Sequence, residues 1–300
     1  MKGKTFMISL LIIAISWGGN LWFYQSKQLK EPVFLEHFYG GVGMFELYYL
    51  TNRDDPAQVV SVEFSDGTTL HAESDYYALQ NENPAYGPDV RSRSSHYLLK
   101  TTRFDEQQMR EMSVDHEGQA TIHFNNGKTI ISDIGKVTTS ELRDGNGIFR
   151  SQSSSSSSNG RSIRSFTVVE DIKIESMTSP FPDVDEDVKM KLYTSSIGST
   201  GTPDGGGPRS YSKEMDKDWS EVAGAPLESI DFPIEMKRGE RIRLTMQEKP
   251  NEIRSYSYEI VMEGKMINGE QPFMQPFYVS NDPQFSTEQM DLLIERRRSR

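Results

Sequence analysis

An apolar segment near the start of the chain most constrains what the remainder can be. Lys2 and Lys4 precede a run from Phe6 to Tyr24 that contains no charged residue. As an α-helix with a rise of about 1.5 Å per residue, this run spans roughly 28 Å, which is close to the thickness of the hydrocarbon core of a bilayer. The sequence therefore predicts a transmembrane anchor and neck over residues 1–30, with residues 6–24 in contact with the lipid bilayer.

Two alternatives for this segment remain open. A cleaved signal peptide has a basic start, a shorter apolar stretch and a small-residue cleavage site, and Ala14-Ile15-Ser16 meets the last requirement. The apolar run nevertheless continues past that site and ends in aromatic residues at positions 22–24, as in the interfacial belt of a membrane span. A core helix is the other alternative, although a soluble domain rarely begins with a helix that is apolar on all sides. We therefore expect an uncleaved anchor.

The orientation of the span follows from the remainder of the chain rather than from flanking charge. Lys2 and Lys4 lie on one side and Lys27 and Lys30 on the other, so the positive-inside rule hardly separates the two orientations. The 300 residues contain no cysteine, which excludes disulfide scaffolds, thiolate zinc sites and cysteine nucleophiles. They also contain no Asn-x-Ser/Thr sequon, and the two absences together fit a bacterial envelope. We expect a single-pass protein of the cell membrane, with a cytoplasmic N terminus and the bulk of the chain extracytoplasmic.

The charge balance disfavours nucleic acid as a partner. The formal net charge is −11, so the chain repels phosphate backbones in general. Basic residues are scattered except for a cluster at Arg296, Arg297, Arg298 and Arg300. Such a cluster contacts anionic lipid or polymer, or simply complements the dipole at the C terminus of a helix. We favour the second interpretation.

Beyond the neck, short alternating apolar patterns separated by turn residues predict β-strands. Two segments share one sequence pattern: Val62-x-Phe64-x-Asp66-Gly67-x-Thr69-Leu70 and Ile122-x-Phe124-x-Asn126-Gly127-x-Thr129-Ile130. Asp-Gly or Asn-Gly between alternating runs is a strong hairpin signal. Duplication and convergence on a common hairpin solution both explain the match. The aromatic segment 32–39 is either the first strand of the core or an exposed contact surface, and we favour burial.

These patterns predict a mainly β fold with minor α content. The N-terminal transmembrane helix is followed by one or two antiparallel, sandwich-like domains and a short C-terminal helix, for which Ser286 and Gln289 form a capping box. Six consecutive serines indicate a flexible segment. The expected units are a first β-rich domain with a short helix (31–149), a Ser-rich flexible linker or loop (150–165), a second β-sandwich-like domain (166–285) with a flexible insertion (195–212), and a C-terminal helix with a basic tail (286–300).

No sequence motif identifies a catalytic, cofactor-binding or metal site. Gly127-Lys128-Thr129 resembles the end of a phosphate loop, but Ile122 stands where that motif requires glycine. Ser210-x-x-Lys213 lies in a Gly/Pro-rich loop rather than at a helix start. The carboxylates of Asp183, Asp185 and Asp187 suit calcium, but the calcium-loop pattern is incomplete there, and the five histidines lack helical metal spacing. We expect no catalytic residue, no metal and no cofactor.

The sequence thus favours a non-enzymatic role in binding, sensing or regulation at the bacterial cell envelope. The partner would be another envelope protein or a wall polymer, in addition to the lipid bilayer. The alternative is an envelope hydrolase that uses acidic residues, since paired carboxylates meet in space rather than in sequence. A deep pocket with close carboxylates would distinguish the two.

Overall fold

A computed structural model describes most of the chain. The described residues are 2–41, 44–73, 90–111, 115–139, 147–156, 160–185, 187–194, 214–249, 253–269, 271–281 and 283–298. The fold is mainly β, as predicted, with a long apolar helix at the N terminus and a short helix at the C terminus. The helices are α1 Lys2–Lys27, α2 Glu106–Glu111, α3 Pro182–Asp185 and α4 Thr287–Arg298.

Eighteen strands account for the described β-structure. They are β1 Val33–Phe34, β2 Glu36–Gly41, β3 Phe45–Asn52, β4 Val59–Glu63, β5 Thr69–His71, β6 Val90–Arg93, β7 Tyr97–Phe104, β8 Asp115–Phe124, β9 Thr129–Thr139, β10 Phe149–Ser156, β11 Arg161–Val168, β12 Ile172–Thr178, β13 Val188–Thr194, β14 Ala225–Pro226, β15 Ile234–Met236, β16 Arg241–Glu248, β17 Arg254–Met266 and β18 Pro272–Ser280.

The strands form three sheets. A four-stranded sheet has the order β1-β3-β7-β6, and a five-stranded sheet has the order β10-β11-β16-β13-β14. The nine-stranded sheet follows the path β15-β12-β17-β2-β9-β8-β4-β5, with β18 also paired to β17. Strand β2 runs parallel to both of its neighbours, β17 and β9, whereas the other pairs are antiparallel. The nine-stranded sheet is therefore a mixed sheet, in which β2 forms the parallel pairs.

The two smaller sheets pack against opposite faces of the nine-stranded sheet. Phe38 belongs to the core under the five-stranded sheet, and its neighbour Tyr39 belongs to the core under the four-stranded sheet. Because consecutive side chains of a strand point to opposite faces, the two cores lie on opposite sides of β2. The four-stranded sheet and the face of the nine-stranded sheet that it covers are called the N-terminal sandwich. The five-stranded sheet and the opposite face of the nine-stranded sheet are called the C-terminal sandwich.

The two predicted hairpins have the same geometry. Gly67 and Gly127 adopt φ values of +88° and +82°, which glycine tolerates best. In each turn the phenylalanine accepts a hydrogen bond from the glycine N–H at 3.0 Å, and the Asp66 or Asn126 side chain accepts one from the residue two positions later. Strands β4 and β8 are also neighbours. The shared sequence pattern therefore encodes one local structure twice.

The C-terminal helix begins with the predicted capping box. The Ser286 hydroxyl accepts a hydrogen bond from the Gln289 N–H, and the Gln289 side chain accepts one from the Ser286 N–H at 2.8 Å. Met290, Leu293 and Ile294 are buried on the outer face of the four-stranded sheet. The expected first strand is also buried, since Phe34, Leu35 and Phe38 are almost inaccessible to solvent.

The structure differs from the sequence expectation in several segments. Residues 150–156 of the expected flexible linker or loop (150–165) belong to β10, and residues 161–165 belong to β11, which pairs antiparallel with β10. A strand can form here because backbone pairing needs no apolar side chains. At the start of β10, the Phe149 ring also packs against the rings of Phe166 and Phe273. The alternating segment 166–175 is divided between β11 and β12, and only 234–236 of the alternating segment 230–236 forms a strand. The insertion 195–212 lies outside the described residues.

Strand β2 connects the regions that the sequence assigned to two domains. It hydrogen-bonds to β9 of the first region and to β17 of the second. At Gly135 of β9 a Cβ atom would lie 2.2 Å from the His37 carbonyl oxygen, and φ is +87°. Glycine is therefore required there for β2 and β9 to approach each other. The division into separate domains stays a prediction.

Candidate functional site

A cleft opens at the end of the four-stranded sheet, above β17 and β18. Its volume is about 410 Å³, within the roughly 300–1,000 Å³ range of small-molecule sites. The walls come from the start of β3 and from β6, and the floor comes from β2, β17 and β18. Both predicted regions therefore contribute to one concave surface, which we call the inter-sheet cleft.

Glu46 is the acidic group of this cleft. Its carboxylate accepts hydrogen bonds from the Arg91 guanidinium at 2.8 Å, from Arg103 at 2.7 Å and from the Tyr48 hydroxyl. Burial alone would raise the pKa of Glu46, but the hydrogen bonds from Tyr48 and Arg103 and the positive charge of Arg91 outweigh it, so the pKa lies below its usual value. Glu46 is thus an ionised, tightly held carboxylate.

His37 lies at the back of the cleft and joins two sheets. Its Nε2 accepts a hydrogen bond from the Tyr48 N–H at 2.8 Å, so the neutral ring carries its proton on Nδ1, which lies 3.2 Å from the Ile134 carbonyl. Burial lowers the pKa of His37 from 6.5 to about 4 because the charged form would lose its hydration. His37 is a neutral structural group at physiological pH.

The floor of the cleft is rich in hydroxyl groups. The Ser257 hydroxyl and the Tyr278 hydroxyl lie 2.6 Å apart, and Ser255 and Ser280 also line the floor. Tyr278 remains 41% exposed, so its ring is accessible to a ligand. An exposed aromatic ring beside several hydroxyls and one ion-paired arginine suits a polar ligand with an apolar face.

A second concavity lies in the C-terminal sandwich. Its volume is about 510 Å³, and Met177, Met190, Leu227, Phe232 and Ile260 supply most of its wall. Lys189 and Glu228 stand at its mouth and both are exposed. Most of its lining side chains are apolar, so this pocket offers a mainly apolar surface.

The outer face of the five-stranded sheet carries buried cations. Arg161, Lys191 and Arg243 are each less than 8% exposed and lie beneath residues 214–223. Arg161 donates to three backbone carbonyls of residues 214–217, and Lys191 Nζ donates to the carbonyls of Trp219 and Val222. Burial lowers the pKa of Lys191. These cations alternate with apolar residues, as in strands with one solvated face, so the sequence pattern does not reveal that they are buried.

One acidic residue neutralises part of this cationic cluster. Glu214 is 4% exposed and forms an ion pair with Arg243. No described residue accepts a hydrogen bond from Nε or Nη2 of Arg243, whose guanidinium lies over the Tyr193 ring at 5.3 Å. Glu214 therefore holds the covering segment to the sheet by charge.

Asp187 is the one candidate calcium ligand of the sequence analysis whose side chain the structure describes. Asp187 is buried and pairs with Arg254 at 2.7 Å and Lys249 at 3.4 Å, and the side chains of Asp183 and Asp185 lie outside the described part. In the part of the chain that the structure describes, no three potential ligands of the His, Asp or Glu type form a metal-binding group. Gly127-Lys128-Thr129 lies in a hairpin, and Ser210 and Lys213 are outside the described residues.

The N-terminal helix is long and apolar enough to cross a bilayer. The candidate span is Phe6–Lys27, and none of its apolar window is buried in the protein. Trp17 and Trp22 are 77% and 73% exposed. The helix is thus not a core element of the β body, and its exposed apolar surface requires a lipid environment or removal.

The end of this helix is in contact with the β body. The Tyr97 hydroxyl donates to the Lys27 carbonyl at 2.7 Å, and the Tyr24 hydroxyl donates to Asp54 at 2.9 Å. The Asn52 side chain exchanges two hydrogen bonds of 2.8 Å with the backbone of Leu29. Residues 24–29 are therefore part of the folded body.

Comparisons with known proteins yield no family. No protein-family model and no curated protein matches the chain. Among solved structures, the IG1+IG2 region of DIP-gamma shares 12% identity over 83% of this chain and 96% of that chain, with a TM-score of 0.22.

Two further solved structures show similarly weak likeness. A putative membrane anchored protein from Corynebacterium diphtheriae shares 11% identity over 86% of this chain and 60% of that chain, with a TM-score of 0.24. The collagen adhesin from S. aureus shares 8% identity over 85% of this chain and 94% of that chain, with a TM-score of 0.20. These scores are too low to carry fold or function to this chain.

Proposed function

We propose that this protein is a single-pass, membrane-anchored binding protein of a bacterial envelope. Its β body lies outside the cytoplasm and holds a wall polymer or another envelope protein in the inter-sheet cleft. The observation that carries the proposal is the joint occurrence of an exposed apolar helix and a body with an accessible, polar and aromatic cleft.

The contacts at the end of the helix support an uncleaved anchor. Cleavage after Ser16 would leave Leu21, Trp22 and Phe23, all more than half exposed, on a segment that the body holds at Tyr24, Lys27 and Leu29. A soluble product of that kind would present an apolar patch to water. A bilayer removes the same surface from water.

The chemistry of the cleft favours binding over hydrolysis. Among the described residues of its lining, Glu46 is the single carboxylate. A retaining or inverting glycosidase needs a protonated acid and a second carboxylate at a defined separation. Glu46 instead has a lowered pKa and two arginine partners, which suits it to positioning Arg91 and not to donating a proton.

The test is ligand-dependent stabilisation of the detergent-solubilised full chain. Wall-derived saccharides and stem peptides are titrated, and the melting temperature is recorded for the natural sequence and for Tyr278→Ala. A ligand at 100 times its Kd stabilises the native state by about 2.7 kcal/mol, so we expect a shift of several degrees that Tyr278→Ala strongly reduces.

Met274→Ala is the matched control, because Met274 lies on the same strand as Tyr278, is 40% exposed and is not part of the cleft. Its ligand response should equal that of the natural sequence. A panel without any stabilising member, or a shift that Tyr278→Ala leaves unchanged, would contradict the assignment of the cleft. Release of new reducing ends from a saccharide would favour the hydrolase.

A further inference from the structure

We propose that two loops of the β body, residues 52–55 and 94–97, lie in the phospholipid headgroup layer beside the span and fix the orientation of the body on the membrane. This inference rests on the anchoring proposed above and extends it to a second contact surface. The two loops are called the membrane-proximal loops below.

The first step is the attachment of the helix end to the body. Asn52 Nδ2 donates to the Leu29 carbonyl and Asn52 Oδ1 accepts from the Leu29 N–H, both at 2.8 Å. This is the pattern with which an extended backbone residue pairs in a sheet. Leu29 also packs against the cluster that contains Leu50 and Tyr97. The chain between the helix and β1 is therefore held at a residue and is not a free tether.

The membrane-proximal loops contact the helix before its C-terminal end. The His96 ring lies 6.0 Å from the rings of both Phe23 and Tyr24, and the Tyr24 hydroxyl reaches Asp54 at 2.9 Å. Phe23 and Tyr24 precede the helix end at Lys27 by three to four residues, which is about 4.5–6 Å along the axis. The loops thus extend past the helix end toward the membrane.

Phe23 and Tyr24 mark the position of the loops relative to the bilayer. Phe23 and Tyr24 end the uncharged run, where aromatic residues mark the boundary between hydrocarbon and headgroups. A bilayer of about 40–45 Å with a hydrocarbon core of about 30 Å leaves an interfacial layer of roughly 5–7 Å on each side. Residues level with Phe23 and Tyr24 lie within this layer.

The composition of the loops fits headgroups. Arg53 and Ser95 are exposed, and the Lys27 carbonyl at the helix end accepts a hydrogen bond from Tyr97 of the second loop. Arginine and lysine are attracted to an anionic leaflet, whereas Asp54 and Arg53 would be costly in hydrocarbon. The occupant of this surface is therefore a lipid headgroup carrying phosphate, contacted at the same time as the span.

The two loops form one surface. The Arg53 N–H donates to the His96 carbonyl at 2.8 Å, and the Ser94 hydroxyl accepts from the N–H groups of His96 and Tyr97. Because these bonds tie the loops to each other and to the ends of β3 and β7, the body cannot tilt without moving both loops in the headgroup layer.

Because the chain contains no cysteine, one introduced cysteine can be labelled without a background reaction at another site. The full chain is reconstituted in liposomes with nitroxide-headgroup lipid after labelling Ser95→Cys with a fluorophore. The control is Glu73→Cys, which is exposed and whose backbone N–H bonds to Arg103 near the other end of β7. That end lies six residues, or about 20 Å, from Tyr97 along the strand.

We expect the label at position 95 to be quenched several-fold more than the label at position 73, and less by deep acyl-chain nitroxides than by headgroup nitroxides. Asn52→Ala should reduce quenching at position 95, whereas Asp66→Ala should not, because Asp66 lies in the turn between β4 and β5, and Ala72 just after β5 is bridged to Phe104 at the other end of β7. Equal, weak quenching at both positions in protein that resists carbonate extraction would overturn the inference alone. Release of the full chain by carbonate would overturn the proposed anchoring as well.

Discussion

The two smaller sheets bury their outer faces in opposite ways. The four-stranded sheet presents Tyr48, Leu50, Tyr97 and Leu99 to the apolar stripe of α4. The five-stranded sheet presents Arg161, Lys191 and Arg243 to an irregular segment, which offers backbone carbonyl oxygens to Arg161 and Lys191 and the Glu214 carboxylate to Arg243. The first cover is held by removal of apolar surface from water. The second depends on compensation of buried charge, so a single uncompensated group should harm it more.

The largest expected effect is the failure of either region to fold alone. The helix that covers the four-stranded sheet comes from the C-terminal end of the chain, and β2 needs β17 as its parallel partner. Residues 31–149 and 150–300, expressed separately, should therefore show no cooperative thermal transition, whereas residues 31–300 should. A sharp transition in the 31–149 fragment would make the two sandwiches independent domains.

The second prediction concerns the charged cover. Glu214→Gln leaves Arg243 buried without its counter-charge, which should lower the free energy of unfolding by about 3–5 kcal/mol. Glu175→Gln is the matched control, because Glu175 pairs with Lys265 at the surface and such pairs contribute only about 0–1 kcal/mol. Urea unfolding of residues 31–300 measures both. Equal, small losses would show that the charged cover is dispensable.

The apolar cover should respond to truncation in a graded manner. Met290 is fully buried, so Met290→Ala should lower the free energy of unfolding by about 2–4 kcal/mol, through lost burial and the remaining cavity. Leu292 on the same helix is 48% exposed, and Leu292→Ala should cost about 0.5 kcal/mol or less. If the two variants unfold at the same urea concentration, α4 does not cover the sheet as described.

The two sandwiches should respond oppositely to pH. The pKa of His37 is about 4 in the folded protein against 6.5 unfolded, so its contribution is complete above pH 6.5 and is lost as pH falls toward 4. From pH 6.5 to 5 the loss is about 2 kcal/mol. Burial raises the pKa of Glu248 in the C-terminal sandwich to about 7, so its contribution is lost as pH rises from 4.5 through 7.

The two effects oppose each other between pH 4.5 and 6.5, and a variant separates them. His37→Gln retains the Glu248 effect, so on acidification from pH 6.5 to 5 it should lose about 2 kcal/mol less stability than the natural sequence. The measurement is urea unfolding at the two pH values. Identical pH profiles would contradict a buried, neutral His37.

The sequence was sufficient where local chemistry decides the structure. Asp66-Gly67 and Asn126-Gly127 specify their turns through backbone conformation, and Ser286 with Gln289 specifies the start of α4. The apolar run of α1 was equally readable. Each of these features depends on residues within a few positions of one another, or on a continuous pattern.

The sequence was insufficient where contacts join distant segments. Glu46 meets Arg91 within the four-stranded sheet, and Ser257 meets Tyr278 within the nine-stranded sheet. The two pairs share one cleft only because these two sheets pack together. Buried Arg243 and Lys191 follow the same alternation as solvated residues, since a polar outer face has the same pattern whether or not a segment covers it. Strand β10 was not predicted because a run of serines has no alternation of apolar and polar residues.

The state of the N terminus in the mature protein tests the central claim most directly. The full chain is expressed in a bacterial host, the membrane fraction is washed with carbonate, and the N-terminal peptide of the retained protein is identified by mass spectrometry. The account predicts a carbonate-resistant protein that retains the span Phe6–Lys27. A soluble product that begins at Trp17 and lacks the first part of the span would contradict it.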